Sequence, residues 1–312
     1  YEREIRELGR EDAIAFYRRH YAPNNAILVV AGDVEPGEVR AMAERHFGGL
    51  KPAALEPRTR PYRETIAGPA HVERRDARVN QAQWARQYLA PSYRAGESRH
   101  AVPLQVLSYV LGANQNSRLY RALVVERKIA TQANAWYSAA SLGQSVFSLA
   151  VTPADGIALA EIEAAVGLEI ERLLADGVDA AEVERARVQL LAADVFARDS
   201  LTSGARLYGG QLAIGRSLEE IGAWPELVEA VTAEQVNEAA RHVLRADRSV
   251  TSALLPADGE KRGAACRACG RSCRPSFVCL SRWRARLPRS TSAKSCRRAA
   301  SAPGWSRTRP PR

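Results

Sequence analysis

At 312 residues the chain exceeds a single average domain, and an apolar content of 46% is enough for real cores. The formal charge of +10 is uneven: residues 261–312 hold fifteen Lys and Arg with no Asp or Glu, leaving thirty basic against thirty-five acidic residues before them. The body is therefore mildly acidic, which argues against a nucleic-acid footprint there, and no apolar run is long enough for a membrane span.

The chain opens with a helical stripe, Ala13, Phe16 and Tyr17 within Glu11 to Arg19. Turn chemistry follows at Pro23 and the Asn24/Asn25 pair, and Ala26 to Val30 is a short apolar, β-branched run that predicts a central strand ending at Gly32 and Asp33. Pro36 suits a helix start, with Val39, Met42, Ala43 and Phe47 on one face and Gly48 and Gly49 as the stop. Residues 51–66, with Pro52, Pro57 and Pro61, read as an exposed connector. Beyond it, His71 to Arg75 and Gln83 to Leu89 predict two strands, Ala101 to Leu111 a helix and Ser117 to Arg127 a shorter one. Thr131 to Ser138 and Ser145 to Val151 predict a hairpin. Ile157 to Leu174 has helical spacing, and three capping-box starts follow, Asp179 with Glu182, Ser217 with Glu220 and Thr232 with Gln235, before a last strand at Ser249 to Leu255.

From Lys261 the character changes. Acids vanish, helical periodicity stops, and all five cysteines fall here: Cys266, Cys269, Cys273, Cys279 and Cys296. A basic interaction arm, an irregular zinc knuckle and a frameshifted terminus of a GC-rich gene are the three readings. The last is preferred, and disorder is expected of the tail because it can bury little apolar surface.

The wording EREIREL…REDAIAFYRRHYAPNNAILVVAGDVEPGEV resembles the end of the first domain in pitrilysin/insulinase-type zinc metallopeptidases, the group that includes mitochondrial processing peptidase and many bacterial processing-type proteases. The resemblance continues through SRLYRALVVERKIATQANAWYS to about Pro256. It implies an α+β fold: residues 1–50 as the end of one α/β-roll domain, 51–66 as linker, 67–257 as a complete second domain with an antiparallel-rich sheet packed by helices, and 258–312 as the basic tail.

A peptidase of this kind needs two histidines one helical turn apart, a general-base glutamate and a further carboxylate ligand, in the family's order HxxEH. His20, His46, His71, His100 and His242 stand singly, and neither HxxEH nor HExxH occurs. The resemblance places that motif upstream of Tyr1, so zinc is implied for the intact family member and no catalytic or metal residue is expected here, nor metal bound by this chain. The family's Arg and Tyr pair, which helps bind peptide, falls on Val124 and Thr131 and is also missing. The implied partners are a peptide or unfolded protein and a second homologous half or subunit carrying that pair. Bacterial relatives suggest a periplasmic or secreted home.

Asn116, Ser117, Arg118 and Tyr120 are the candidate chamber residues, because the family has a glycine-rich loop at Gly112 to Ser117. The competing reading makes Gly112 a helix stop, Asn116 or Ser117 a helix start, and Arg118 a partner of Glu126. The resulting expectation is a fragment of a zinc endopeptidase that supplies chamber wall and interface. The alternative is a non-catalytic structural or assembly subunit of the same fold.

Overall fold

The computed structural model describes residues 2–55 and 68–257. In the first stretch, α1 (Glu2–Glu7), α2 (Arg10–His20) and α3 (Pro36–Phe47) surround a 3₁₀ turn at Pro23–Asn25. The turn asparagines do what their type suggests. Asn25 donates to the His20 carbonyl at 2.7 Å, while Asn24 donates to Ala53 O at 3.0 Å and accepts from Ala53 N at 3.1 Å.

The strand expected at Ala26 to Val30 does not form. Ala26 is extended, with φ −116° and ψ 143°, yet no strand pairs with the run among the described residues, and Ile27, Leu28 and Val30 are exposed. β-branched residues supply the dihedral angles of a strand, but a strand also needs a neighbour for its N–H and C=O groups. The connector expected at 51–66 lies largely outside the described residues, and the basic tail with its cysteines wholly so.

The second stretch builds a five-stranded sheet from β1 (Ala70–Asp76), β2 (Gln83–Ala90), β3 (Ala130–Tyr137), β4 (Ser145–Pro153) and β5 (Ser249–Pro256), in the order β1-β5-β2-β4-β3. β3 and β4 form the expected hairpin, Trp136 opposite Ser148, and β4 pairs β2 with Trp84 opposite Val151. The last strand enters the middle of the sheet. β5 runs antiparallel to β2, Trp84 opposite Ala253, and parallel to β1, Ala70 opposite Val250. The expectation of an antiparallel-rich α+β fold holds, with β1 and β5 as the parallel exception.

Packed directly on this sheet are α4 (Ala101–Gly112), a turn α5 (Arg118–Tyr120) that widens into a π-helix at Arg121–Glu126, α6 (Leu159–Asp176) and α11 (Ala233–Val243), while α7 (Ala180–Ala197) and α10 (Trp224–Glu229) pack on α4, and α9 (Leu218–Gly222) on α10. Helix α8 (Leu201–Ala213) lies between α7 and α9 in the chain. The sequence AVPLQVLSYVLG makes α4 apolar nearly all round, and it is accordingly buried, Leu104, Leu107 and Leu111 completely. Trp84, Tyr88, Phe147 and Leu149 from the sheet and Ile162, Val166 and Leu173 from α6 complete the centre of the core. Along β3, Ala133, Ala135 and Tyr137 are buried while Gln132, Asn134 and Trp136 are exposed, so one sheet face is covered and the other open. No helix among the described residues is long and apolar enough to cross a membrane.

Candidate functional site

A cleft of about 640 Å³ opens where the end of α4, the loop to α5, and helices α6 and α7 meet. Its position follows from one close approach. A Cβ on Gly112 would lie 2.1 Å from Ala135 N and 2.6 Å from Asn134 C, so only glycine lets α4 end directly against β3. The chain then turns sharply: Asn114 Oδ1 accepts from Asn116 N at 2.8 Å, Asn114 Nδ2 donates to Gln189 Oε1 of α7 at 2.6 Å, and Ser117 N reaches Asn114 O at 3.2 Å. Asn116 is left exposed at the rim, whereas Ser117 is buried beneath it and caps α5 by its backbone alone.

Arg118 is the best-anchored side chain of the cleft. Its Nε and Nη2 donate to the two oxygens of Glu182 at 2.6 Å each, and Nη2 also donates to Gly177 O at 2.8 Å. Glu182 meanwhile closes the capping box of α7, accepting from Asp179 N at 3.1 Å. Burial pushes the Glu182 carboxyl up, but the hydrogen bonds from Arg118 and Asp179 N outweigh it and hold the group below the usual carboxylate range. The guanidinium of Arg118 is correspondingly pushed up by the bond to Glu182.

Asn116, Ser117 and Arg118 line the cleft together, whereas Tyr120 is half-buried and is not among its lining residues. Arg118 does not pair with Glu126. That carboxylate takes Arg121 at 3.6 Å, while Arg118 reaches sixty-four residues along the chain to Glu182. Sequence reading identified Glu182 as a cap and missed its second role, and it missed Gln189 and Glu169 altogether, because nothing local marks a partner on another helix. The remaining wall carboxylate, Glu169, is held by Arg172 at 2.9 Å and Arg127 at 3.5 Å. Arg185 is the one cleft cation without an ion pair among the described residues. Each of the three lining carboxylates, Glu126, Glu169 and Glu182, is engaged by arginine.

Val124 and Thr131, at the places of the missing Arg and Tyr pair, lie on the π-helix and at the start of β3. The histidines do not fit a peptidase zinc centre of the HxxEH type: His20 packs on Phe16 with ring centroids 4.5 Å apart, His71 sits exposed on β1, and His46 ends α3 in solvent. His100 and His242, which read as lone residues, are in fact stacked on each other.

Residues 7–190 match the family model described as "Peptidase M16 inactive domain". The zinc protease PqqE of Helicobacter pylori is 24% identical over 211 residues, covering 67% of this chain and 47% of its own length. An uncharacterized zinc protease of Mycobacterium bovis is 29% identical over 264 residues, covering 82% of this chain and 57% of its own. The chain therefore spans about half the length of the curated relatives it matches. Among solved structures, a protease from Helicobacter pylori has the same fold, with a TM-score of 0.73 at 23% identity over 82% of this chain and 61% of that one.

Proposed function

The chain belongs to the peptidase M16 family through its inactive domain, and from this we propose that it is a non-catalytic part of a zinc endopeptidase, forming wall and interface of a chamber in which an unfolded peptide is held. The observation that carries the reading is a family match over residues 7–190 in a sequence with neither HxxEH nor HExxH. Zinc and the general base would come from a domain bearing that motif, and the Arg and Tyr pair from a second homologous half. No step of peptide hydrolysis is assigned to this chain's own residues.

Its contribution would be to position. The cleft beside α5 offers the Asn116 side chain at the rim and the Arg185 guanidinium within, groups suited to peptide carbonyls and carboxylates. β3, one of the two outermost strands and without a further strand partner among the described residues, supports the same reading, since an extended peptide adds to such an edge through main-chain hydrogen bonds.

The test is cleavage of an unfolded peptide by the purified chain alone and after mixing with a separately expressed half carrying HxxEH. Chelator-sensitive cleavage only in the mixture is the expected result. Cleavage by the chain alone would overturn the proposal, and so would a mixture no faster than the HxxEH half by itself.

A further inference from the structure

Away from the cleft, the fold gathers three side chains that the sequence scatters. Glu97 precedes and His100 ends the 3₁₀ turn Ser98–His100 that leads into α4, and a spacing of three in such a turn puts both on one side. His242 arrives from the last turn of α11. Its ring and that of His100 have centroids 4.7 Å apart. Glu97 Oε2 lies 3.5 Å from His100 Nε2, Glu97 Oε1 lies 3.7 Å from His242 Nδ1, and one donor atom from each residue falls within 4.8 Å of the others.

Two observations set this group apart from a chance encounter of polar side chains. His100 has a side chain only 3% exposed, and its Nε2, facing Glu97, makes no hydrogen bond among the described residues. A buried nitrogen with no partner is costly, and such groups call for an explanation. The donors are also held in place. Arg99 donates to Glu97 Oε2 from Nε and Nη2, at 3.1 and 2.9 Å, and its Nη1 reaches Glu238 of α11 at 2.9 Å. That bridge clamps the turn onto α11 and leaves Glu97 Oε1 toward His242. Burial, reinforced by His242 and Arg99, draws the His100 imidazole below its ordinary value, toward the neutral form that ligates metals.

We propose that Glu97, His100 and His242 bind one divalent transition-metal ion of the zinc class through a carboxylate oxygen, Nε2 and Nδ1, with a fourth position open to solvent. Two imidazoles and a carboxylate are a donor set that suits such ions. Bonds of about 2.0–2.2 Å in a tetrahedron place donors about 3.4 Å apart. The 3.5 and 3.7 Å separations are made by different oxygens of Glu97, and the three donor atoms, one from each residue, lie within 4.8 Å of one another, so the side chains close by up to about 1.4 Å to share one ion. The ion would pin α11 to the entrance of α4. It is separate from the family's HxxEH centre, and its role is structural, joining the turn before α4 to α11.

The test uses the full chain with its five cysteines alkylated, stripped of metal, then titrated with Zn²⁺ by calorimetry and with Co²⁺ by its visible absorption, alongside thermal unfolding. One equivalent should bind and raise the unfolding midpoint. His242→Ala should weaken binding by more than the about 10–100-fold that losing an outer-shell partner costs, and should abolish the metal-dependent shift. Glu97→Gln should do the same, with both variants folded by circular dichroism. Absence of stoichiometric binding in the parent chain would overturn the site, as would binding that either variant leaves undiminished.

Discussion

Gly112 and Gly167 make opposite demands on one substitution. At Gly112 an added methyl would sit 2.1 Å from the Ala135 amide nitrogen, and the obstacle is backbone, which cannot rotate away. At Gly167, within α6, a Cβ meets nothing within 4 Å. Gly112→Ala should therefore destabilise by about 2–3 kcal/mol through overpacking, whereas Gly167→Ala should stabilise by about 0.5–1 kcal/mol through helix propensity. Urea unfolding of the two variants checks both signs, and a neutral Gly112→Ala would mean α4 and β3 are looser than drawn. Glu182 gives a second residue-scale test. Its folded carboxyl is held below the ordinary 4.5, so near that pH the unfolded chain binds more protons than the folded one. The stabilisation is fully present above pH 4.5 and is lost as pH falls through the depressed folded value. Glu182→Gln keeps a capping side chain but cannot titrate, so its stability should fall less than the parent's as pH drops below 4.5; parallel profiles would refute the assignment. Neither the steric demand on Gly112 nor the bond from Arg118 to Glu182 is legible in the sequence, because each depends on what the fold brings from a distant segment.

At the scale of elements the sequence is far more informative, wherever the signal is local. All three capping boxes form as their spacing predicts, Asp179 with Glu182, Ser217 with Glu220 and Thr232 with Gln235. The five strands of the second stretch fall within a residue or two of the stretches that predict them. What no local pattern supplies is order: β5 inserts between β1 and β2, which only the packing of its two neighbours decides. The same limit hides α8, whose glycine-rich sequence LTSGARLYGGQLA carries no start signal of the kind that marks α9 and α11. It also explains why His100 and His242 read as solitary, since 142 positions separate two rings that the fold stacks. One side chain shows how α11 is registered against the rest. Asn237 accepts from Val178 N at 2.7 Å and donates to Val178 O at 3.2 Å, stitching α11 to the turn between α6 and α7, where Gly177 has φ +78°. Asn237→Ala leaves two backbone groups short of partners and should cost about 2 kcal/mol. Thr232→Ala, which removes a single cap bond from the same helix, should cost about 1 kcal/mol. Amide exchange at Val178 should accelerate in the first variant and not in the second.

Across the whole molecule, the two described stretches differ in kind. Residues 68–257 hold every buried side chain of the described chain, while among residues 3–55 none is buried. Yet the first stretch carries the apolar stripes that a packed domain would use: Phe16 is 60% exposed, Leu28 59% and Phe47 55%. Helices with such faces stay folded in globular proteins chiefly by burying them, and the run from Ala26 to Val30 has no strand partner among the described residues. The family reading supplies a reason, since 1–50 would be the end of a domain that the longer relatives complete. Removing residues 1–64 should then raise solubility and change the unfolding midpoint of the remainder little, because among residues 3–55 no side chain is buried. A lower yield or a lower midpoint for the shortened chain would show that the segment packs where its exposure says it does not. The converse experiment separates missing partner from intrinsic disorder. Trypsin should cut quickly among Arg3, Arg10, Arg18, Arg40 and Arg45 in the chain alone, and these cuts should slow when an HxxEH-bearing domain is added, while sites within α4 to α7 change little. Equal cutting with and without that domain would leave the apolar faces of α2 and α3 without their proposed partner, and with them the assignment of residues 1–50 to a shared domain.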